Sequence, residues 1–183
     1  MTRKSVTLGG FVVLVVAAMV VGGTVALWPQ DSTKGNDPVT VIDGRDAPRD
    51  FSSFEAASAY VADETGLTNF VPPRLPDEFR VTELAISERP EGAPATLLRV
   101  TSNIRRGSSG FTVLAVGRSF RSPVITEENL IADSAGASLY RVERDGVSEY
   151  TLSTSERGWI ATIPNDLGID QAAAQEMMLS LVE

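Results

Sequence analysis

One run without a charge, from Val6 to Trp28, stands just behind Arg3 and Lys4 and ahead of the acidic, proline-bearing stretch that opens at Pro29. At a helical rise of about 1.5 Å per residue it reaches roughly 34 Å, enough to cross a bilayer core of about 30 Å with some tilt. It predicts a single-pass transmembrane helix over residues 6–28, with residues 1–5 as a cytoplasmic tail. Arg3, Lys4 and the free amine lie before the run and only Lys34 closely follows it, so the positive-inside rule sets the bulk of the chain outside the cell membrane. The other reading is a cleaved leader ending at Thr24-Val25-Ala26, which would make the remainder a secreted protein. A leader's apolar region spans only about 7–15 residues, and the length here favours the uncleaved anchor. No cysteine is present to be acylated. Ala18, Gly22 and Ala26 recur every fourth residue along one stripe, a spacing that suits a weak homodimer contact in lipid and is also common in spans that pair with nothing.

Behind the run remain about 155 residues, a length that suits one domain with a substantial core. All 24 acidic residues lie there against 14 of the 16 basic ones, a formal charge of −10. Such a balance opposes general nucleic-acid binding and favours solubility. With no cysteine there is neither disulfide nor thiolate, and with no histidine there is no imidazole base, ligand or pH switch. No cofactor and no metal is expected, and the chain is not expected to be an enzyme.

Pro29 to Asp50 is rich in Pro, Gly, Asp, Ser and Thr and reads as a flexible extracytoplasmic linker, roughly 26 Å long by random-coil scaling. Val39-Thr40-Val41-Ile42 offers the alternative of a short edge strand docked on the domain. The domain itself is expected over residues 51–183. Ser52 and Glu55 form a capping-box pattern for a helix bearing Phe54, Ala57 and Val61, with Gly66 as its stop. Pro72, Pro73 and Pro76 then force an extended connector.

Beyond it the apolar period changes to two. Strands are expected over Phe79–Ser87, Thr96–Ser102, Phe111–Val116, Ala137–Glu143, Val147–Thr154 and Trp159–Ile163. Arg105 to Gly110, Asp145-Gly146 and Ser155 to Gly158 are expected reversals, and the change of phase between Phe79/Val81 and Leu84/Ile86 predicts a bulge near Thr82-Glu83. A closing helix starts at Asp170, with Ala174, Met177, Met178 and Leu181 on one face. The fold expected is α+β: the transmembrane helix, then an antiparallel sheet of about six strands with helices at both sequence ends packed on one face.

Ser53-Phe54-Glu55-Ala56-Ala57, Asn69-Phe70-Val71-Pro72, Leu75-Pro76-Asp77-Glu78-Phe79, the strand–Asp145-Gly146-Val147–strand unit ending Tyr150-Thr151-Leu152, and the terminal Met178-Leu179-Ser180-Leu181 together resemble a bacterial domain family of unknown function. The resemblance covers Phe51 to the C-terminus. It implies a membrane-anchored domain placed C-terminal to a helix, in a family sometimes associated with anti-sigma or lipoprotein-carrier-like proteins. Members often carry Trp in the strand before the Asp-Gly turn, where this chain has Tyr140 and Val142. No catalytic residue comes with the resemblance.

Direct chemistry is sparse. Gly107-Ser108-Ser109-Gly110 departs from the G-x-S-x-G elbow, and the one lysine outside the tail, Lys34, lies in the linker. The pairs Glu127-Glu128 and Asp166 with Asp170 miss the ligand spacing of a calcium loop. One charge feature stands out. Between Glu91 and Glu127 no acidic residue occurs, while Arg99, Arg105, Arg106, Arg118 and Arg121 all do. Arginine suits bidentate contact with carboxylate or phosphate, so these five are the candidate contact for an envelope protein or anionic envelope component; the plainer reading is a solvated hairpin. A second candidate is an apolar groove formed by Phe111, Val113, Tyr140, Tyr150 and Trp159, which a carrier of lipid or another apolar ligand would need; the plainer reading is a central strand packed on both faces.

The anchor is tested by the intact mass of the chain recovered from membranes. Retention of all 183 residues, at 19.5 kDa, is the expected result; an N-terminus at Leu27 would show cleavage instead.

Overall fold

The computed structural model describes residues 37–44, 46–88, 98–117, 125–134 and 136–183. The anchor expected over residues 6–28, its Ala18/Gly22/Ala26 stripe and the cytoplasmic tail lie outside them. Among the described residues no helix is long and apolar enough to cross a membrane.

The expected six-stranded antiparallel sheet is corrected to a mixed sheet of nine strands. They are β1 (Val39–Asp43), β2 (Arg49–Phe51), β3 (Arg80–Glu88), β4 (Leu98–Arg106), β5 (Ser109–Val116), β6 (Leu130–Ser134), β7 (Ala137–Arg144), β8 (Val147–Thr154) and β9 (Gly158–Pro164). Their spatial order is β2-β1-β3-β4-β5-β9-β8-β7-β6. β1 pairs parallel with β3, Val41 opposite Leu84, and every other ladder is antiparallel. Among the described residues two short α-helices accompany the sheet, α1 (Phe54–Thr65) and α2 (Gln171–Leu179). α1 is not the domain's first element, because β1 and β2 precede it. Residues expected as free linker thus form two strands; the alternative of a strand at Val39 to Ile42 is the one observed, except that β1 lies inside the sheet, between β2 and β3, and not at its edge. The physical reason is burial: Val39 and Val41 are each 1% exposed, so two valines on the same face of the strand are enough to recruit the backbone to the sheet despite polar neighbours.

Local chemistry accounts for the element ends. Ser53, one residue beyond the expected cap, accepts from the Ala56 amide at 3.3 Å, and Gly66 closes α1 in the left-handed region at φ 67°. Asp170 caps α2, accepting from the Ala173 amide at 2.8 Å. Asp145 and Gly146, at φ 52° and 78°, make the two-residue reversal between β7 and β8. The ladder between β3 and β4 shifts between Val81 and Glu83, where the apolar phase changes. Gly110 opposite Arg105 admits no side chain: a Cβ there would lie 2.4 Å from the Ile104 carbonyl oxygen.

Strand alternation gives the sheet a core face and a second face. Val41, Leu84, Ser102, Val113, Ala161 and Tyr150 stand in one register row on the core face. Ala57 and Val61 of α1 and Ala174, Met177 and Met178 of α2 join the same cluster. α1 lies over β1 to β4 and α2 over β7 and β8. The connector after α1 closes the gap between them, burying Leu67, Phe70, Val71 and Phe79. Its backbone is satisfied from the sheet: the Trp159 indole N–H donates to the Asn69 carbonyl at 2.7 Å, Ser102 Oγ to the Phe70 carbonyl at 3.1 Å, and Arg157 to the Thr68 carbonyl at 3.0 Å.

Trp159→Phe keeps an aromatic side chain of smaller volume, loses the indole N–H and orphans the Asn69 carbonyl. It should cost about 1–2 kcal/mol in urea unfolding, while Thr162→Ala on the exposed side should cost under about 0.5 kcal/mol.

Candidate functional site

Strand β4 decides how the arginine stretch is laid out. Arg99 and Arg105 stand six residues apart on it, roughly 20 Å along the strand. Odd positions of β4 turn to the second face and even ones to the core, so Arg106 is separated from Arg105 by the sheet itself. Arg106 folds onto the core side, its guanidinium 4.7 Å from the Phe79 ring centroid and its Nη2 donating to the Leu167 carbonyl at 3.0 Å. That side chain is structural. Arg118 and Arg121 lie outside the described residues. The structure therefore does not bring Arg99, Arg105 and Arg106 into one patch.

Arg105 lines an open cleft of about 360 Å³ at the end of the sheet where the chain enters, with Asp37, Glu78, Arg80 and Gly107. Arg80 is already paired with Asp37 there, and the exposed carboxylate of Glu78 stands beside it. The cleft offers mixed charge and no enclosure.

The groove residues separate in the same way. Phe111, Val113, Tyr150 and Trp159 are buried in the main core, and the Trp159 indole is committed to Asn69. Tyr140 pairs with Thr151 and Leu130 and points to the opposite face. These five side chains do not line a common hollow; β5, β8 and β9 contribute one face each to the packing beneath the helices.

The second face carries a register row that the periodicity alone did not single out. Ile42, Ala85, Thr101, Leu114, Ile160, Thr151, Tyr140 and Leu130 stand side by side across eight strands. Beside this row runs Ser87, Arg99, Val116, Gly158 and Ser153. On its other side Asn103 donates to the half-buried Glu83, with Thr112 and Thr162 next in register. The face is thus largely apolar with mixed flanks, half-buried at Leu114, Ile160 and Tyr140 and buried at Thr151, Val116 and Gly158.

Arg99 is its distinctive group. It is half-buried, its Nε is shut from solvent without a hydrogen-bond partner, and it makes no ion pair with any described residue. Arg49, Arg74, Arg80, Arg106, Arg141 and Arg157 each have at least one partner; Arg141 Nε is also buried without one, but its two Nη groups are engaged. In the same face Thr151, fully buried, leaves its hydroxyl unpartnered. Buried polar groups without partners are uncommon enough to need a reason.

A second polar cluster closes on itself. Arg141 Nη2 donates to Glu143 at 2.6 Å and to Ser148 Oγ at 3.3 Å, and Nη1 to Gln171 at 3.3 Å. Ser148 donates to Asn165 Oδ1 at 2.9 Å, and Asn165 Nδ2 to Glu143 at 2.8 Å. This network ties β7, β8 and α2 together. Among the described residues no group of three or more acidic side chains could hold a metal ion.

No protein-family model, curated protein or solved structure matches the chain.

Burial under α2 raises the Tyr150 hydroxyl above its ordinary 10.0, with Arg141 pulling the other way. An acid whose pKa is raised by folding contributes stability that is present below the unfolded value and lost as pH rises through the folded one. Above about pH 10 the chain should therefore lose stability relative to Tyr150→Phe, read as converging urea midpoints on an alkaline series.

Proposed function

We propose that this protein is a non-enzymatic, single-pass, membrane-anchored extracytoplasmic module that binds a protein or cell-envelope component through the second face of its sheet. The observation that carries the reading is Arg99, a half-buried guanidinium with an orphaned Nε beside an apolar band. Among the described residues Arg49, Arg74, Arg80 and Arg141 are each paired with a carboxylate, and Arg106 and Arg157 donate to backbone carbonyls, whereas Arg99 has neither kind of partner. An unpaired, partly desolvated cation costs stability and persists where an outside group completes it. A carboxylate or phosphate would fit the planar donor fork, while Leu114, Ile160 and Tyr140 take the less polar part of the partner.

The charge-free run over residues 6–28 supports the membrane address, and the absence of His and Cys supports a role without catalysis. The resemblance to a membrane-anchored bacterial domain family points the same way. The carrier alternative gains nothing from the placement of Phe111, Val113, Tyr150 and Trp159, which fill the core.

A photo-cross-linking residue in place of Thr101 should capture the partner in cells. Arg99→Met should abolish the adduct and leave the unfolding midpoint unchanged or raise stability by up to about 1 kcal/mol, since it removes an orphaned charge. Arg144→Met, at an exposed position on β7, should leave the adduct intact. An adduct indifferent to Arg99→Met would overturn the reading.

A further inference from the structure

The two edges of the sheet are built differently. β2 is three residues long, follows Pro48, and presents Arg49 and Asp50. Its side chains are tied down: Phe51 packs on Tyr60 at 5.3 Å between centroids, Arg49 lies over the same ring, and Asp50 accepts from Thr40 at 2.7 Å. Shortness, charge and a neighbouring proline are how natural sheets blunt an edge. β6 has few of these guards. It runs five residues, Leu-Ile-Ala-Asp-Ser, with Leu130 39% exposed, and among the described residues no strand lies beyond it. Its one guard is the bulge between Leu130 and Ala132, which leaves Ala132 to Ser134 as the regular edge.

We infer that the β6 edge docks a short extended segment of a partner protein that carries lysine or arginine beside its apolar residues, adding a tenth strand. Backbone amides and carbonyls of an edge supply the affinity in this mode, and side chains flanking it supply the choice of partner. The flanks here are acidic: Glu127 and Glu128 lie exposed just before β6, and Asp133 is exposed within it. A second copy is disfavoured by the same charges, because pairing β6 with β6 sets two Asp133 carboxylates close together and opposes chains of formal charge −8. Leu130 also ends the row on the second face, but the backbone groups of the edge do not involve Arg99, and the inference does not depend on it.

The test uses the full chain in detergent micelles with two capped synthetic peptides, one alternating Lys and Val and its twin alternating Glu and Val. The Lys/Val peptide should bind and slow amide hydrogen exchange over residues 130–134, with no slowing by the Glu/Val twin. Glu127→Lys with Glu128→Lys, both at exposed positions, should weaken binding about tenfold, as two lost surface charge contacts would. Ala132→Pro should abolish the protection, and the charge-reversed variant keeps the test valid where the proline variant fails to fold. Absence of binding at millimolar peptide, protection elsewhere than β6, indifference to the charge reversal, or a β6-dependent dimer in sedimentation would each overturn the inference.

Discussion

The structure depends on covering one face of a wide sheet with very little helix. Nine strands at about 4.8 Å spacing make a layer close to 40 Å across, while each helix covers only about 10 Å. α1 and α2 lie toward opposite sides of it, so the middle must be closed by chain that is not helical. The connector carrying Pro72, Pro73 and Pro76 does this, and its prolines help, since each removes an amide that would otherwise need a buried partner. The remaining carbonyls at Thr68, Asn69 and Phe70 are met by Arg157, Trp159 and Ser102. Trp159 therefore fills the core and holds the irregular segment in place.

The helices, reversals and central strands were legible because each has a local cause: the Asp170 cap, the Asp145-Gly146 turn, the period-two runs of β5, β8 and β9. What was not legible depends on distant partners. β1 reads as spacer because only Val39 to Ile42 is apolar between Gly, Asp and Pro, and its parallel place beside β3 is set by residues more than 30 positions away. β6 is short, and its pairing is interrupted by a bulge. The arginine stretch looked like one patch because linear proximity hides strand alternation and strand length. Arg105 and Arg106 are neighbours in sequence and occupy opposite faces. The buried, unpartnered state of Arg99 Nε left no trace in composition or spacing; only the half-apolar alternation of β4 hinted that odd positions there face something other than the core.

Charge is distributed by the same logic. Most arginines serve as clamps: Arg74 bridges to Glu176 at 3.5 Å and Glu183 at 3.0 Å, joining the connector to the end of the chain, and Arg141 gathers β7, β8 and α2. The exposed pairs among them contribute little individually to stability. Their value is in fixing where the connector and α2 sit. Arg99, half-buried and outside this pattern, is the exception among the described residues.

Register is what keeps these roles apart. β4 sends Val100, Ser102 and Ile104 inward and Arg99, Thr101 and Asn103 outward, and a slip of one residue would exchange the two sets. The slip is opposed on both sides of the strand, near its C-terminal end. The shift between Val81 and Glu83 sets the phase against β3, and the crowding of Gly110 against the Ile104 carbonyl sets it against β5. Because the core set is anchored by these two features, side chains of the outward set can change without altering the packing beneath the helices.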